Sequence, residues 1–274
     1  MNLSLSRNPR GMRAPQTNQP SAWASGDYAA VGNALQIVSE ELCETVNLCQ
    51  EQLVLDVAAG NFSASMAAAR RWCEVTAMDV HSDLGRRSRQ RIEAESAGVR
   101  FADGDAEALP FADQSFDAVI SSFGAMFALD QERAASEMMR VCRRGRLVGL
   151  ANWTPEGFIG QLFEVLARYS SGGDAGLQSC AWGTASRLQE LFGAYGNVWS
   201  ARKNVALRAR TPMDWVDRLR VDYAPVARAF APLDADGKRQ LRAALLDLAG
   251  RFNRAPDASM RVDAEYLEVV VQRR

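Results

Sequence analysis

The chain has 274 residues, of which 47% are hydrophobic and 24% are charged, a balance typical of a globular protein with a sizeable core. Its 32 basic and 33 acidic side chains nearly cancel, so no global positive field would attract nucleic acid or an anionic membrane, and we expect neither partner. No uninterrupted apolar run approaches the roughly 20 residues that a membrane-spanning helix needs.

The amino-terminal residues 1–22 are predicted to form a disordered tail, because Pro9, Pro15 and Pro20 oppose a helix and no apolar signal-peptide core follows. Apolar residues at helical spacing then predict one or two helices before residue 50. We expect residues 23–274 to form a single cytoplasmic α/β domain, either monomeric or homodimeric.

Between residues 52 and 151, strand-like and helix-like segments alternate, which predicts a parallel sheet with helices on both faces. The predicted strands are 52–58, 74–79, 99–102, 116–121 and 146–151, and the predicted helices are 62–72, 83–97 and 129–142. Two further strands, near 198–210 and 266–272, mix apolar and polar residues and suit an antiparallel sheet edge. Helical additions near 23–50, 153–194 and 211–260 are expected to cap the substrate.

The cysteines and the histidine argue against a metal site and against a disulfide framework. Five cysteines form no CxxC pair, and His81 is the one histidine of the chain. We expect reduced, mostly buried thiols and no bound metal. A histidine general base is not expected either, because His81 fits a surface loop.

A ligand site is predicted where the apolar run Leu53–Leu55 stops at Asp56, because open α/β sheets bind ligands at the carboxyl ends of their strands. A dinucleotide would need a G-x-G-x-x-G turn, and its diphosphate would be repelled by Asp56. S-adenosylmethionine carries an ammonium group and a sulfonium but no phosphate. Asp56 would therefore attract it, directly or through water.

A second acid, Asp79, ends the next predicted strand. It follows Asp56 by 23 residues, about one strand-helix-strand step, which is where an acid accepts hydrogen bonds from ribose hydroxyls. This pair of acids on neighbouring strand ends is the strongest functional signal in the sequence.

Five segments occur in the order used by one enzyme family. They are VLDVAAG at 54–60, MD at 78–79, GDAEALPF at 104–111, SFDAVISS at 115–122 and EMMRVCRRG at 137–145. Over roughly residues 30–152 the chain resembles the class I S-adenosylmethionine-dependent methyltransferases, especially the small-molecule branch that includes the ubiquinone and menaquinone C-methyltransferases.

The resemblance implies a Rossmann-like sheet of six parallel strands and one antiparallel strand, with the cofactor across the carboxyl ends of the first four. It implies that Asp105 accepts from the adenine amino group, that the backbone of Ala106 meets the ring, and that Ser121 and Ser122 lie beside the donor methyl. Asp105 could instead merely cap a turn. The remaining cofactor contacts that it implies are Ala58, Gly60 and Val80.

Phe62 departs from the family, which most often has glycine at this position. Its side chain must either turn away from the methionine part of the cofactor or narrow the pocket. The departure leaves open the alternative that this chain keeps the family's fold but binds the cofactor poorly.

Without a histidine base, we expect an in-line displacement in which the protein mainly orients a nucleophilic acceptor. Asp27 and Tyr28 are predicted to orient that acceptor. Aromatic and apolar residues are predicted to line its pocket, which favours a flat substrate: Trp23, Phe123, Met126, Phe127, Trp153 and Trp182.

The predicted activity is methylation of N or O of a small heteroaromatic or phenolic metabolite, with S-adenosylhomocysteine as the second product. Quinone-type C-methylation and a catalytically inactive binding protein are the alternatives.

Overall fold

A computed structural model of the chain describes residues 28–80, 98–169 and 175–274. The predicted tail 1–22 and the predicted helix 83–97 lie outside these residues. Helix α1 (Tyr28–Thr45) precedes an alternating core made of β1 (Leu53–Val57), α2 (Ser63–Ala69), β2 (Glu74–Asp79), β3 (Val99–Asp103), β4 (Phe116–Ser122), α3 (Gln131–Val141) and β5 (Cys142–Trp153).

The carboxyl-terminal half adds two long strands, with helices before the first strand and between the two. Its elements are α4 (Phe158–Ala167), α5 (Ala175–Ser179), α6 (Ala185–Phe192), β6 (Gly196–Ala209), α7 (Pro212–Asp222), α8 (Ala224–Phe230), α9 (Ala235–Phe252) and β7 (Met260–Arg273). Short 3₁₀ turns follow β4 at Ala125–Phe127 and α5 at Cys180–Gly183.

The seven strands form one sheet in the order β3-β2-β1-β4-β5-β7-β6. Strands β1 to β5 pair in parallel, whereas β7 is antiparallel to both β5 and β6. Six strands therefore point one way and β7 points the other, as the family resemblance implied. The predicted antiparallel pair at the sheet edge is confirmed.

Alternate side chains of β1 enter two different hydrophobic cores, so both faces of the sheet are covered. Val54 packs in a cluster with Leu42 of α1 and Ala67 of α2. Leu55 belongs to a larger cluster that includes Met138 of α3. The predicted Rossmann-like α/β fold is confirmed.

The predicted helix boundaries are mostly correct to within a few residues, because buried apolar stripes fix them. Leu241, Leu245 and Leu248 of α9 are fully buried, as their helical spacing predicts. Asp234 caps the start of this helix by accepting from the backbone N–H of Gly237 at 2.8 Å.

Two strand starts differ from the prediction. Strand β7 begins at Met260 rather than near residue 266, and β5 begins at Cys142 rather than at residue 146. The predicted helix 129–142 and the predicted strand 146–151 left the polar run after Cys142 as the connection between them. Instead Gly145 adopts a φ of 74°, and the register of β4 against β5 shifts between Phe116 and Ala118. A bulge thus lets polar residues extend the strand.

Most of the cysteines are buried, as predicted. Four of the five cysteines are buried, Cys49 is exposed, and all five are free. Burial raises the pKa of the Cys73 thiol to about 11, which disfavours the reactive thiolate. Within the described ranges, no helix is both long and apolar enough to cross a bilayer.

Candidate functional site

Asp56 is a buried carboxylate at the carboxyl end of β1, where the sequence places the ligand. It is 1% exposed, and its Oδ2 atom accepts a 2.6 Å hydrogen bond from the Ser65 hydroxyl of α2. Burial raises the pKa of the Asp56 carboxyl to about 7, Ser65 lowers it, and the negative charge of Asp79 raises it further. A cationic ligand beside Asp56 would offset the free-energy cost of burying its negative charge.

The loop after β1 brings the two predicted acids together. Ala58 and Gly60 both have positive φ, at 53° and 52°. This turn directs the backbone N–H of Gly60 to Oδ2 of Asp79, 2.9 Å away. Asp79 therefore supports the loop beside Asp56 and stands at the strand end predicted to hold ribose, while the side chain of Val80 is about half exposed.

Phe62 turns away from the predicted cofactor site. It has a φ of 63°, is 4% exposed, and packs edge-on against Phe101 with ring centroids 5.0 Å apart. Met66 and Ala77 complete a small apolar cluster beneath the loop. The side chain therefore fills the layer between α2 and the sheet, so it does not narrow the pocket.

We expect Phe62→Ala to destabilise the folded chain by about 3 kcal/mol, because it removes a buried ring and leaves a cavity. Cofactor affinity should stay within about twofold of wild type, since the ring faces away from the predicted cofactor site. Urea unfolding and calorimetry measure the two effects. Trp72→Ala is a matched control, because Trp72 also has positive φ but is 77% exposed; loss of cofactor affinity in Phe62→Ala alone would contradict this placement.

The loop after β3 carries the two residues predicted to meet adenine. Asp105 accepts from the backbone N–H of Glu107 at 2.9 Å through Oδ1, so it does cap a turn, as one of the two interpretations held. Ala106, the next residue, is 9% exposed. Because Oδ1 caps the turn, the predicted hydrogen bond from the adenine amino group would go to the other carboxylate oxygen of Asp105. This contact stays a prediction.

Two residues of α3 hold this loop in place, and neither was predicted to do so. Arg140 donates to the carbonyls of Leu109 and Phe111 at 3.0 and 2.8 Å, and to Asp113 at 2.7 Å. Glu137 accepts from the backbone N–H of Leu109 at 2.8 Å and pairs with Arg140. The EMMR segment contains both residues, but the spacing of Glu137 and Arg140 reads equally well as an ordinary i,i+3 surface pair.

Ser121 and Ser122 have different roles at the end of β4. The Ser121 hydroxyl donates to the carbonyl of Val57 at 2.7 Å and accepts from the backbone N–H of Ala125 at 2.9 Å. It therefore joins the loops that follow β1 and β4. Ser122 accepts a 3.2 Å hydrogen bond from Ser39 of α1 and faces a small cavity.

The cavity lies between α1 and the ends of β1 and β4. The Ser63 hydroxyl donates to the carbonyl of Gly32 at 3.3 Å, so α1 lies directly over the loop after β1. An added Cβ on Gly32 would overlap the Asn61 side chain, which explains the glycine. The lining residues are Leu35, Ser39, Asp56, Ala59, Asn61, Ser63, Ala64, Ser122 and Phe123.

The α1 members of this lining, Leu35 and Ser39, were not predicted. Ser39 is fully buried although it is polar. In the sequence, a serine among the apolar residues of a predicted helix face is the signal that could have identified Ser39. This signal is weak as long as the hydrogen-bond partner of the serine is unknown.

A stack of two aromatic rings, with a third ring edge-on to it, lies beside the cavity. Phe123 lies parallel to Trp153 with ring centroids 3.9 Å apart, and its edge meets Tyr266 at 5.7 Å. Phe123 also lines the cavity that contains Asp56. Two of the predicted pocket residues are therefore placed together next to the predicted methyl-donor site.

The other predicted pocket residues are either absent from the lining of the cavity or lie outside the described residues. Met126 and Trp182 are fully buried in the core, and Phe127 packs edge-on against Phe163 at 6.0 Å. Trp23 and Asp27 lie outside the described residues. Tyr28 begins α1, but its side chain is not among the described ones.

A polar cluster ties α1 to the sheet next to this stack, and the sequence did not indicate it. The Tyr266 hydroxyl donates to Glu41 at 3.1 Å, and Lys203 contacts Glu268 at 2.8 Å. Burial, followed by the charge of Glu41, raises the pKa of Tyr266. The phenol therefore stays protonated at neutral pH and acts as a hydrogen-bond donor. Among the described residues, no group of three or more potential ligands is arranged to hold a metal ion.

A family profile described as "Methyltransferase domain" matches residues 55–148. These residues run from β1 to β5 and include both acids and the loop that Arg140 holds. The chain is 36% identical over 222 residues to Rv1403c of Mycobacterium tuberculosis, which bears the name "Uncharacterized protein"; the match covers 80% of this chain and 81% of the relative.

Another relative, matched over a shorter segment, has a name that states an activity. The demethylmenaquinone methyltransferase of Thermobifida fusca is 44% identical over 99 residues, which is 35% of this chain and 42% of that enzyme. Among solved structures, the YcgJ protein of Bacillus subtilis aligns with a TM-score of 0.58 at 18% identity, covering 89% of this chain and 99% of that one. The likeness to YcgJ shows the fold alone.

Proposed function

Because this chain belongs to the class I S-adenosylmethionine-dependent methyltransferases, we propose that it methylates N or O of a small heteroaromatic or phenolic metabolite. The observation that carries the proposal is that Phe123, stacked on Trp153, lines the same cavity as Asp56 and Ser122. A flat aromatic surface thus borders the predicted methyl-donor site. Flat acceptors stack favourably on such surfaces.

The residues at the strand ends fit the proposed donor, S-adenosylmethionine. Asp56 is a buried carboxylate whose hydrogen bonds come from Ser65, with no basic partner among the described residues. Its negative charge complements an ammonium group. Asp79, one strand away, would accept from ribose hydroxyls, and the Asp105–Ala106 loop would meet the adenine ring.

When bound, the donor supplies a methyl group on a positively charged sulfur. The chain's own residues need only align the acceptor with it. Phe123 and Trp153 would fix the plane of the acceptor ring, and Ser122 would border the transfer path. Packing of α1 over the loop after β1 would keep water from the methyl group. The acceptor nucleophile would be already ionised or neutral and basic, because the described residues that line the cavity include no histidine or lysine.

We expect Asp79→Ala to weaken binding of S-adenosylmethionine by about 1–3 kcal/mol, through lost charge-assisted hydrogen bonds. Part of the loss would come from the loop, because Gly60 loses its acceptor. Calorimetry measures the affinity. Asp103→Ala is a matched control, because Asp103 lies in register with Asp79 on β3 and is exposed; equal affinities for both variants would refute the ribose assignment.

Quinone-type C-methylation is the second candidate, and one observation favours it. A match over 99 residues is to the demethylmenaquinone methyltransferase of Thermobifida fusca, whose name indicates a quinone acceptor, and a quinone has a flat ring. The same aromatic stack would suit such a ring. The two candidates differ in the atom that receives the methyl group.

One experiment separates these activities from each other and from an inactive binding protein. The chain is incubated with methyl-labelled S-adenosylmethionine and a metabolite extract from the source organism, and the labelled product is identified. Label on N or O supports the first proposal, and label on a ring carbon supports the second. No label together with no calorimetric binding of S-adenosylmethionine would refute both and favour the binding protein.

A further inference from the structure

Strand β6 forms one edge of the sheet. It is 14 residues long, and among the described strands its neighbour is β7 alone. Every second residue of an edge strand directs its backbone N–H and C=O groups away from the sheet, where they can pair with another strand. In the stretch 199–204 every residue is exposed except Lys203, which is partly exposed. Side chains on both faces of this stretch are therefore open to solvent.

Edge strands usually carry a feature that prevents pairing with another chain, such as a proline, a bulge, a short length or a free charge. Strand β6 contains no proline, and all of its residues are in unbroken register with β7. Its two central cations are held by carboxylates of β7. Arg202 contacts Glu265 at 2.9 Å, and Lys203 contacts Glu268 at 2.8 Å. The edge therefore lacks these protections.

The sequence of β6 fits a second copy of the same strand. In an antiparallel pair around a twofold axis, each residue faces the residue that lies equally far on the other side of the central position. An axis at Arg202 or Lys203 would set a cation against itself. An axis at Ala201 avoids this, because Ser200 then faces Arg202 of the second copy. Trp199 likewise faces Lys203 of the second copy.

Trp199 gives this pairing a favourable contact. Its side chain is 53% exposed, and it lies on the same face of β6 as Lys203, since the two positions are four residues apart. An indole ring opposite a lysine covers the methylene stem and attracts the ammonium group by a cation–π contact. The pairing thus removes apolar surface from water and places no like charges directly opposite each other.

We propose that β6 is a dimerisation surface, on which a second copy of this chain pairs antiparallel about an axis at Ala201. Residues 196–206 of the two copies would form the ladder, and the two sheets would join into one. Lys203 is in register with Tyr266, whose ring meets Phe123 edge-on, so the contact would lie one strand from the aromatic stack. The inference concerns assembly and does not depend on which acceptor is methylated.

Sedimentation velocity of the full chain over the micromolar range tests the assembly. We expect wild type to sediment with twice the mass of one chain. Ala201→Lys sets two lysines against each other at the axis, so it should raise the dimer dissociation constant at least about tenfold. Ala231→Lys is the matched control, because it adds the same charge at an exposed position outside β6 and should change the constant less than about twofold.

Truncating the ring at the edge tests the predicted contact with Lys203. Trp199→Ala should raise the dimer dissociation constant about 5- to 10-fold, because aromatic side chains are frequent anchors of interfaces. Trp72→Ala removes another exposed indole, one that is 77% exposed and lies outside β6, and it should leave the constant unchanged.

Cysteine cross-linking tests the register. A Cys49→Ser background removes the exposed native thiol. In that background, Ala201→Cys brings the two introduced thiols together at the axis, so a short bismaleimide should link the two copies. Asn197→Cys is the matched control, because Asn197 is also exposed on β6 but would face Val205 of the second copy, far from its own counterpart.

A wild-type protein that sediments as a single chain would overturn the inference, as would a dimer that Ala201→Lys leaves intact. Equal cross-linking at positions 197 and 201 would refute the register. If circular dichroism shows that Ala201→Lys fails to fold, Trp199→Ala and the cross-linking decide the matter. Wild-type binding of S-adenosylmethionine by a single chain would refute the dimer and leave the proposed function unaffected.

Discussion

Replacing Arg140 with alanine is expected to destabilise the folded chain by about 2–4 kcal/mol, because several partly buried partners lose their donor at once. Arg140 binds the carbonyls of Leu109 and Phe111 and the carboxylates of Asp113 and Glu137. Its side chain is 29% exposed, so the effect should fall below that of a fully buried ion pair.

The same change should weaken binding of S-adenosylmethionine about tenfold. Arg140 itself would not touch the cofactor, but it holds the loop that carries Asp105 and Ala106. If the loop keeps its bound conformation only about a tenth of the time, the apparent dissociation constant rises by that factor. Urea unfolding measures the first effect and calorimetry the second.

Two control variants make the result specific. Arg140→Lys keeps the charge but loses the planar fork, so it should restore less than half of the lost stability. Arg133→Ala removes one bond from an exposed side chain of the same helix to the same loop, the 2.9 Å contact with the Glu107 carbonyl. It should cost under about 1 kcal/mol. Equal effects of Arg140→Ala and Arg133→Ala would refute the role given to Arg140.

The parts of the site that the sequence predicted are those carried by local pattern. An apolar run that stops at an acid identified the ends of β1 and β2, because buried parallel strands have a distinctive composition. The order of the elements then brought Asp56 and Asp79 to neighbouring strand ends. The alternation of strands and helices was sufficient for the parallel strands, whereas the antiparallel β7 was predicted from its mixed apolar and polar residues and from the family resemblance.

The parts that the sequence missed depend on contacts between distant segments. Ser39 reaches Ser122 across 83 residues, and Tyr266 reaches Glu41 across 225 residues. No local spacing encodes such pairs. The direction of Phe62 was open for the same reason, since it depends on Phe101 of β3.

Affinity for S-adenosylmethionine is expected to fall as the pH drops below about 7, because its cationic end needs Asp56 ionised. Burial raises the pKa of Asp56 to about 7 in the ligand-free fold. Binding of a cation favours the charged form, so binding below that pH must first release a proton. The affinity should then decrease up to about tenfold per pH unit.

Asp56→Asn should remove this pH dependence. The amide keeps an oxygen that can accept from Ser65, so local packing is preserved, but it carries no charge. At pH 8 its affinity should be lower than wild type by about 2–3 kcal/mol, the value of a hydrogen bond to a charged group. Calorimetry between pH 5.5 and 8.5, with both proteins measured in parallel, corrects for any titration of the ligand itself.

Stability of the ligand-free protein should change in the opposite direction to affinity. The folded-state pKa of Asp56 lies above its unfolded value of about 3.8, so the folded state binds the proton more tightly. Relative to Asp56→Asn, wild type should therefore gain stability as the pH falls from above 7 toward 4, by an amount on the order of 4 kcal/mol.

Asp117 provides the matched control with the opposite sign. Its pKa is lowered, because hydrogen bonds from Arg143 and the backbone N–H of Leu53 outweigh the effect of burial. Wild type should therefore lose stability relative to Asp117→Asn as the pH falls through the acid range. Since Asp117 lies at the opposite end of the sheet from Asp56, its substitution should leave the pH profile of cofactor affinity unchanged. If Asp56→Asn instead retains the wild-type profile, the charge that attracts the cofactor belongs to another residue, and Asp56 serves only to fix Ser65 and the start of α2.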